Sequence, residues 1–153
     1  MKIKLAKSEV IHFIGIGGIG MSGLALVMKR MGFKVQGSDM NSNKNIERLK
    51  KNGIKVFIGH EKKNIINSTI FVISSAVKKN NIEFISAQKK NLPIYKRGDM
   101  LGHITSLTKN IVVVGSHGKT TTTSLVASIL SSTNLDPTII NGGVLKSFNN
   151  SAR

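Results

Sequence analysis

An α/β fold built on a parallel sheet is the class this sequence predicts, and three observations predict it. Short apolar runs alternate with segments of helical apolar spacing along most of the 153 residues. Two of those runs break on glycine clusters, GIGGIG from Gly15 and GSHG from Gly115, and each cluster opens directly into a helix-like stretch. Strands that alternate with helices bury a parallel sheet on both faces.

Taken in order, residues 10–14 (VIHFI) form an apolar run ended by the first glycine cluster and read as a strand. Residues 21–31 (MSGLALVMKRM) carry apolar side chains at helical spacing until Gly32 closes the segment, with Met21, Met28 and Met31 assigned to the core. Residues 33–37 read as a second strand, 46–51 as a short amphipathic helix stopped by Asn52-Gly53, and 55–58 as a third strand. Residues 69–74 (TIFVIS) have the continuous apolarity of a buried parallel strand. A helix follows over 82–90, an edge-like strand over 93–96, and a helical turn or two over 99–107. Residues 111–114 read as the strand feeding the second glycine cluster and 120–131 as the helix after it. A last strand is expected over 138–140, then a glycine turn at Asn141-Gly142-Gly143 and a polar tail to Arg153.

Two glycine-rich strand-to-helix turns about a hundred residues apart suggest two modules, 1–107 and 108–153, with the boundary in the polar stretch from Ser106 to Asn110. A second module of roughly 40 residues is too small to complete a parallel sheet, so the chain reads as cut short.

Composition narrows the partners. The net charge of +16, from 23 Lys and Arg against 7 Asp and Glu, raises nucleic acid as a ligand. The charge is however spread as pairs such as Lys50-Lys51, Lys62-Lys63, Lys78-Lys79 and Lys89-Lys90 among Asn and Ile, and Tyr95 is the only Tyr in a chain without Trp. Stacking platforms for bases are scarce, and nucleic acid is not expected. Without cysteine there is no disulfide and no thiolate metal site. Glu9, His12 and the glycine cluster interrupt the N-terminal stretch where a signal peptide needs an unbroken apolar segment. No apolar run approaches the roughly 20 residues of a membrane helix. A cytoplasmic protein with no membrane and no obligate protein partner is expected.

VVVGSHGKTTTT (Val112 to Thr123) has the outline of a phosphate-binding loop. Glycines let backbone N–H groups curl around an anion, and the helix N-terminus adds partial positive charge. Lys119 can reach terminal phosphates, and the Thr120 hydroxyl suits Mg²⁺. ATP is the expected ligand. The position five before Gly118 is Val113, so this is a shortened variant of the usual spacing. His117 fits a turn filler and a site residue equally well.

Gly15-Ile16-Gly17-Gly18-Ile19-Gly20 matches the GxGxxG fingerprint after a strand and before a helix, and Asp39 closes the second strand where a ribose-binding acid belongs. Alone, this points to a nicotinamide-dependent oxidoreductase. The glycines could also serve helix–strand packing alone, and Asp39 could only cap a strand end. Hydride transfer, however, leaves Lys119 idle, whereas an enzyme that handles a nucleotide-linked substrate together with ATP needs two diphosphate cradles. His12 reads as a packed or edge histidine, and His60 and His103 have no ligand-like spacing.

IHFIGIGGIGMSGLA (Ile11 to Ala25), GSD (Gly37 to Asp39), ISSAVKKNNIE (Ile73 to Glu83) and GSHGKTTTT (Gly115 to Thr123), in that order, resemble the Mur ligases of bacterial cell-wall synthesis. HGKTTTT and GIGGIGMSG are most like the members that join L-alanine to UDP-N-acetylmuramate, and GIGGIGMSG disfavours those that attach a preformed peptide. Ser116 stands where Thr is more usual. The resemblance implies a Rossmann-like UDP-sugar-binding domain followed by the start of a P-loop ATPase-type domain. It implies that the lactyl carboxylate of UDP-N-acetylmuramate is activated as an acyl phosphate at the expense of ATP, and that L-alanine displaces the phosphate. It further implies that Gly115, Ser116, His117, Gly118 and Thr121 hold ATP together with Lys119 and Thr120, with Lys119 and Thr120 catalytic and Thr120 on Mg²⁺. Gly15, Gly17, Gly18, Ile19 and Gly20 would hold the UDP diphosphate, with Ser38, Asp39, Ser74 and Ser75 at the rim. A catalytically silent UDP-sugar-binding fragment is the other reading.

Overall fold

Parallel pairing organises the first part of the chain. In a computed structural model that describes residue 3, residues 5–133, residue 135 and residues 137–140, the chain divides into two compact units, Met1–Thr108 and Lys109–Arg153.

The first unit carries five strands, β1 (Val10–Ile14), β2 (Lys34–Asp39), β3 (Lys55–Ile58), β4 (Ile70–Ile73) and β5 (Ile94–Lys96), in the order β3-β2-β1-β4-β5. Every pairing is parallel. The order reverses between β1 and β4, and ligands of open α/β sheets bind at such a switch point, beyond the carboxyl ends of the strands. Helices α1 (Ile19–Arg30), α2 (Lys44–Lys51) and α3 (Ile82–Lys89) and a 3₁₀ turn at Lys62–Ile65 connect the strands, and α4 (Arg97–Ser106) follows β5.

Successive residues of a strand face opposite sides of the sheet, and here the two sides differ in chemistry. Ile11 and Phe13 of β1, Val35 of β2 and Ile70 and Val72 of β4 join Leu24 and Met28 of α1, Leu49 of α2 and Met100 and Ile104 of α4 in the main core. The alternate residues face α3 and the 3₁₀ turn. Ile14, Phe71, Ile65 and Ala87 form a small apolar cluster there, while His12, Gln36 and Ser38 bring polar groups to the same side.

Most elements fall where the pattern predicts, with shifts that pairing explains. Helix α1 starts at Ile19 instead of 21, because the last two residues of the glycine cluster form its first turn. β2 runs on to Asp39, two residues beyond the expected end, since β3 extends the ladder to an Asp39–Ile58 pair. The 3₁₀ turn carries no periodic signal.

In the second unit the expected strand over 111–114 does not form. A strand needs a neighbour to take its N–H and C=O groups, and no described residue pairs with it. Ile111, Val112 and Val114 are exposed, Val114 by 82%. Residues 138–140 are likewise not a strand. The helix expected over 120–131 is α5 (Lys119–Ser131), of which only Ala127 is buried. The glycine turn Asn141-Gly142-Gly143 and the tail lie outside the described residues.

Candidate nucleotide site

The first glycine loop begins where β1 ends. Gly15 and Ile16 both donate their backbone N–H to the Ser38 carbonyl, each at 2.9 Å, which folds the chain back over the end of β2. The next peptide is clamped on both sides. Asp39 Oδ2 accepts the Gly17 N–H at 2.8 Å, and the Gly17 carbonyl accepts from Asn45 Nδ2 at 2.8 Å and Asn43 Nδ2 at 3.3 Å. A Cβ on Gly17 would lie 2.8 Å from Asn43 Nδ2, 2.9 Å from Asp39 Oδ2 and 3.1 Å from Ile46 Cδ1, so only glycine lets these groups close in.

Clamping Gly17 leaves the following amides at the start of α1. Gly18 caps that helix without a side-chain hydrogen bond, and no acid lies in its first turn. The first N–H groups of a helix lack intrahelical partners and sit at the positive end of its dipole, which suits an anion. Arg97, at the start of α4, lies against the same turn, its Nη1 2.9 Å from where a Gly20 Cβ would stand. A cation beside a positive helix end has no electrostatic reason to be there unless an anion offsets both.

Of the residues expected at the rim, Ser74 comes within 3.1 Å of a Gly15 Cβ position and Ser38 and Asp39 grip the loop directly. Ser75 is exposed and makes no hydrogen bond among the described residues. Asp39 holds Gly17 through Oδ2, with Oδ1 3.4 Å from the Asn41 N–H, so it supports the loop.

Behind the loop lies a buried polar cluster that sequence reasoning missed. Glu83 and His12 are both fully buried. Oε2 of Glu83 accepts from Ser38 Oγ at 2.5 Å, His12 Nε2 at 3.2 Å and His60 Nδ1 at 3.2 Å; Oε1 accepts from Asn64 Nδ2 at 2.7 Å and the Glu61 N–H at 3.2 Å. Gln36 Nε2 lies 3.2 Å from His12 Nδ1 and donates to the Asn64 carbonyl and Ser68 Oγ at 2.9 Å each. Burial pushes the Glu83 carboxyl up, but the bonds from His12, Ser38 and Asn64 outweigh it and hold the group at about 2. Glu83 is the lone acid of α3, and nothing in its neighbourhood in sequence announces these partners, which come from β1, β2 and the segment after β3. Asn43 carried the one readable signal: its side chain caps α2 at Ile46 N, 3.0 Å.

The second loop is built differently. Gly118, at φ +76°, turns the chain into α5, in a left-handed conformation that side chains resist. Lys119 Nζ folds back onto the Gly115 and Ser116 carbonyls at 2.6 and 2.9 Å. Gly115, Ser116, His117, Gly118, Thr120 and Thr121 are all exposed, and no acid occupies the first turn of α5.

A doubly wound parallel sheet with a clamped glycine loop at its switch point defines a Rossmann-like fold. The family profile described as Mur ligase family, catalytic domain, matches residues 10–109, and the chain belongs to that family. It is 73% identical over all 153 residues to a UDP-N-acetylmuramate–L-alanine ligase of Pelagibacter ubique, covering 33% of that protein. It is 50% identical over 143 residues, 94% of the chain, to the ligase of the same name from Methylorubrum populi, covering 31% of it. The chain thus spans about a third of the length of the curated relatives it matches. Among solved structures, the UDP-N-acetylmuramate–alanine ligase of Thermotoga maritima superposes with a TM-score of 0.72 at 36% identity, over 79% of this chain and 29% of that one. A UDP-N-acetylmuramate:L-alanyl-γ-D-glutamyl-meso-diaminopimelate ligase from Neisseria meningitides gives 0.73 at 31%, over 80% and 39%.

Proposed function

We propose that this chain is the N-terminal part of an ATP-dependent, cytoplasmic ligase that joins L-alanine to the lactyl carboxylate of UDP-N-acetylmuramate in peptidoglycan precursor synthesis. The observation that carries the reading is the 73% identity to a ligase of that name across both glycine loops. Fold likeness does not separate alanine-adding from peptide-adding relatives, since the two TM-scores differ by 0.01 between 0.72 and 0.73. In residues 1–107, the N–H groups of Gly18, Ile19 and Gly20 receive the UDP diphosphate, Gly15 and Gly17 shape the turn, and Asp39, Ser74 and Ser75 form the rim; Ser38, expected there too, is fully buried and braces the turn from behind.

Residues 108–153 open the ATP-binding domain. A positive-φ glycine leading into an acid-free helix N-terminus fits phosphate, and Lys119 has only loop carbonyls to leave. Gly115, Ser116, His117, Gly118 and Thr121 line this turn. Among the described residues no cluster of three or more His, Cys, Asp or Glu could hold a metal. Thr120 offers a single hydroxyl, which fits a Mg²⁺ held mainly by phosphate oxygens. ATP supplies the phosphoryl group that activates the carboxylate, and Mg²⁺ neutralises its oxygens. Lys119 stabilises the transferring charge. No helix among the described residues is long and apolar enough to cross a membrane.

Calorimetric titration of the chain with UDP-N-acetylmuramate, UDP-N-acetylglucosamine and NADH tests the first domain. Saturable heat with the UDP-sugars is expected, and a response to NADH alone would sink the reading. On a chain with the remaining two thirds of the relatives' length, phosphate release should depend on L-alanine and not on a tripeptide.

A further inference from the structure

A parallel α/β unit sends each connecting helix back to the start of the next strand, so helix C-termini and strand N-termini share one end, opposite the glycine loop. Cations of the first unit collect there. Lys29 and Arg30 close α1, and Lys34 opens β2. Lys50 and Lys51 close α2, and Lys55 opens β3. Lys89 closes α3, with Lys90 capping it before β5. All these side chains are exposed. Lys7 joins them from the segment before β1, donating to the Met31 carbonyl and standing 3.7 Å from the centroid of the Phe33 ring. Along the chain such pairs look scattered, and no membrane is expected from them; the fold gathers them.

The acids go the other way. Glu47, Glu83 and Asp99 lie in the first turns of α2, α3 and α4, Asp39 ends β2 and Glu61 follows β3, all toward the carboxyl ends of the strands. Among the described acids Glu9 alone precedes a strand, and its carboxylate accepts the Ala6 N–H at 2.8 Å. Lys63 with Glu61, at 2.7 Å, is the only lysine ion pair among the described residues. Helix dipoles explain part of this segregation, since basic residues in a last turn offset about half a negative charge per helix. Helices α1 and α2 each end on more than that, and Lys34 and Lys55 lie on strands.

The form of the patch selects the partner. At about 4.8 Å per strand, five strand starts span about 19 Å, a broad face. Lysines outnumber Arg30 and Arg48 on it. A lysine ammonium is a point charge on a flexible stem, whereas fixed bidentate recognition of phosphates and bases favours arginine. Phe33, the aromatic residue of the first connection, is buried and offers no stacking surface. Ile66, between the 3₁₀ turn and β4, is instead 66% exposed at the same end. A fluid layer of anionic headgroups takes point charges in any arrangement, and an apolar side chain among them reaches its interface.

We propose that this amino edge of the sheet docks the first unit on an anionic lipid bilayer, through its lysines and with Ile66 as the apolar contact, leaving the glycine loop at the end that faces away. The attachment is peripheral and does not depend on what the nucleotide site holds.

Sedimentation of the chain with lipid vesicles tests this. Vesicles of equimolar phosphatidylglycerol and phosphatidylcholine should bind at least about tenfold more tightly than phosphatidylcholine alone, and the difference should shrink as salt rises. Lys34→Gln/Lys50→Gln/Lys51→Gln should weaken that binding at least about tenfold, whereas Lys62→Gln/Lys78→Gln/Lys79→Gln, which removes as many charges elsewhere, should change it by less than about twofold. All six lysines are exposed, so urea midpoints should match the wild type. Ile66→Ser should weaken vesicle binding and leave any binding of a short RNA duplex unchanged. Equal binding to the two vesicle types, or equal losses from the two triple variants, overturns the proposal. Tighter binding of the RNA duplex than of the vesicles also overturns it and assigns the edge to nucleic acid.

Discussion

Two glycine turns of like sequence logic stand in this chain with unlike support. At the first, β1 is paired on both sides, the Gly17 peptide is held by Asp39, Asn43 and Asn45, and Ser38 ties the turn to a buried carboxylate. At the second, residues 111–114 form no strand, the loop is exposed, and the contact that closes it comes from its own Lys119. Both start a helix where glycine permits it. The difference shows that a glycine motif specifies a turn, whereas holding that turn in place takes a second layer of hydrogen bonds, brought by elements distant in sequence.

The largest test of that contrast is Gly17→Val against Gly118→Val. The first forces Asn43, Asp39 and Ile46 out of the clamp and should weaken UDP-sugar binding by at least about a hundredfold, on the order of 3 kcal/mol. The second meets nothing within 4 Å and should leave that binding unchanged by calorimetry.

The buried layer should show in stability. Glu83→Ala strands the donors of His12, Ser38, His60, Asn64 and Glu61, and should cost about 3–5 kcal/mol in urea denaturation. A loss under about 1 kcal/mol would mean that the cluster is not needed for the fold.

Acid should reach the first unit through the same carboxyl. Its folded value of about 2 lies below the ordinary 4.5, so its contribution is complete above 4.5 and is lost as pH falls from there toward 2. The loss should amount to at most about 3 kcal/mol. Urea midpoints across that window should fall for the wild type and stay flatter for Glu83→Gln.

The smallest effect belongs to the second turn. Gly118→Ala places a side chain at φ +76° and should destabilise the start of α5 by about 1 kcal/mol. Hydrogen exchange at the Thr122 amide, which donates to the Gly118 carbonyl at 2.9 Å, reads it directly. Unchanged exchange would show that the turn relaxes freely.

Much of the fold was legible in the sequence because its signals are local. The apolar runs of β1 and β4, the periodic stripe of α1 and the glycines that end strands and open helices depend on each residue's own shape and nearest neighbours. The same locality misled at 111–114, where an apolar, β-branched run met no partner among the described residues. The role of Asp39 was half legible: its place at the end of β2 was evident, its bond to Gly17 was not.

By itself, then, the sequence determined where the chain turns and which residues seek the core. Only the tertiary structure decided which side of the sheet is polar, that Glu83 gathers donors from residues up to 71 positions away, and that His60 joins them from a partly exposed position. The physical reason is range. Backbone preference and periodicity act over a few residues, whereas a hydrogen bond forms only between groups brought within about 3 Å, and for distant residues that distance is set by the packing of the whole sheet.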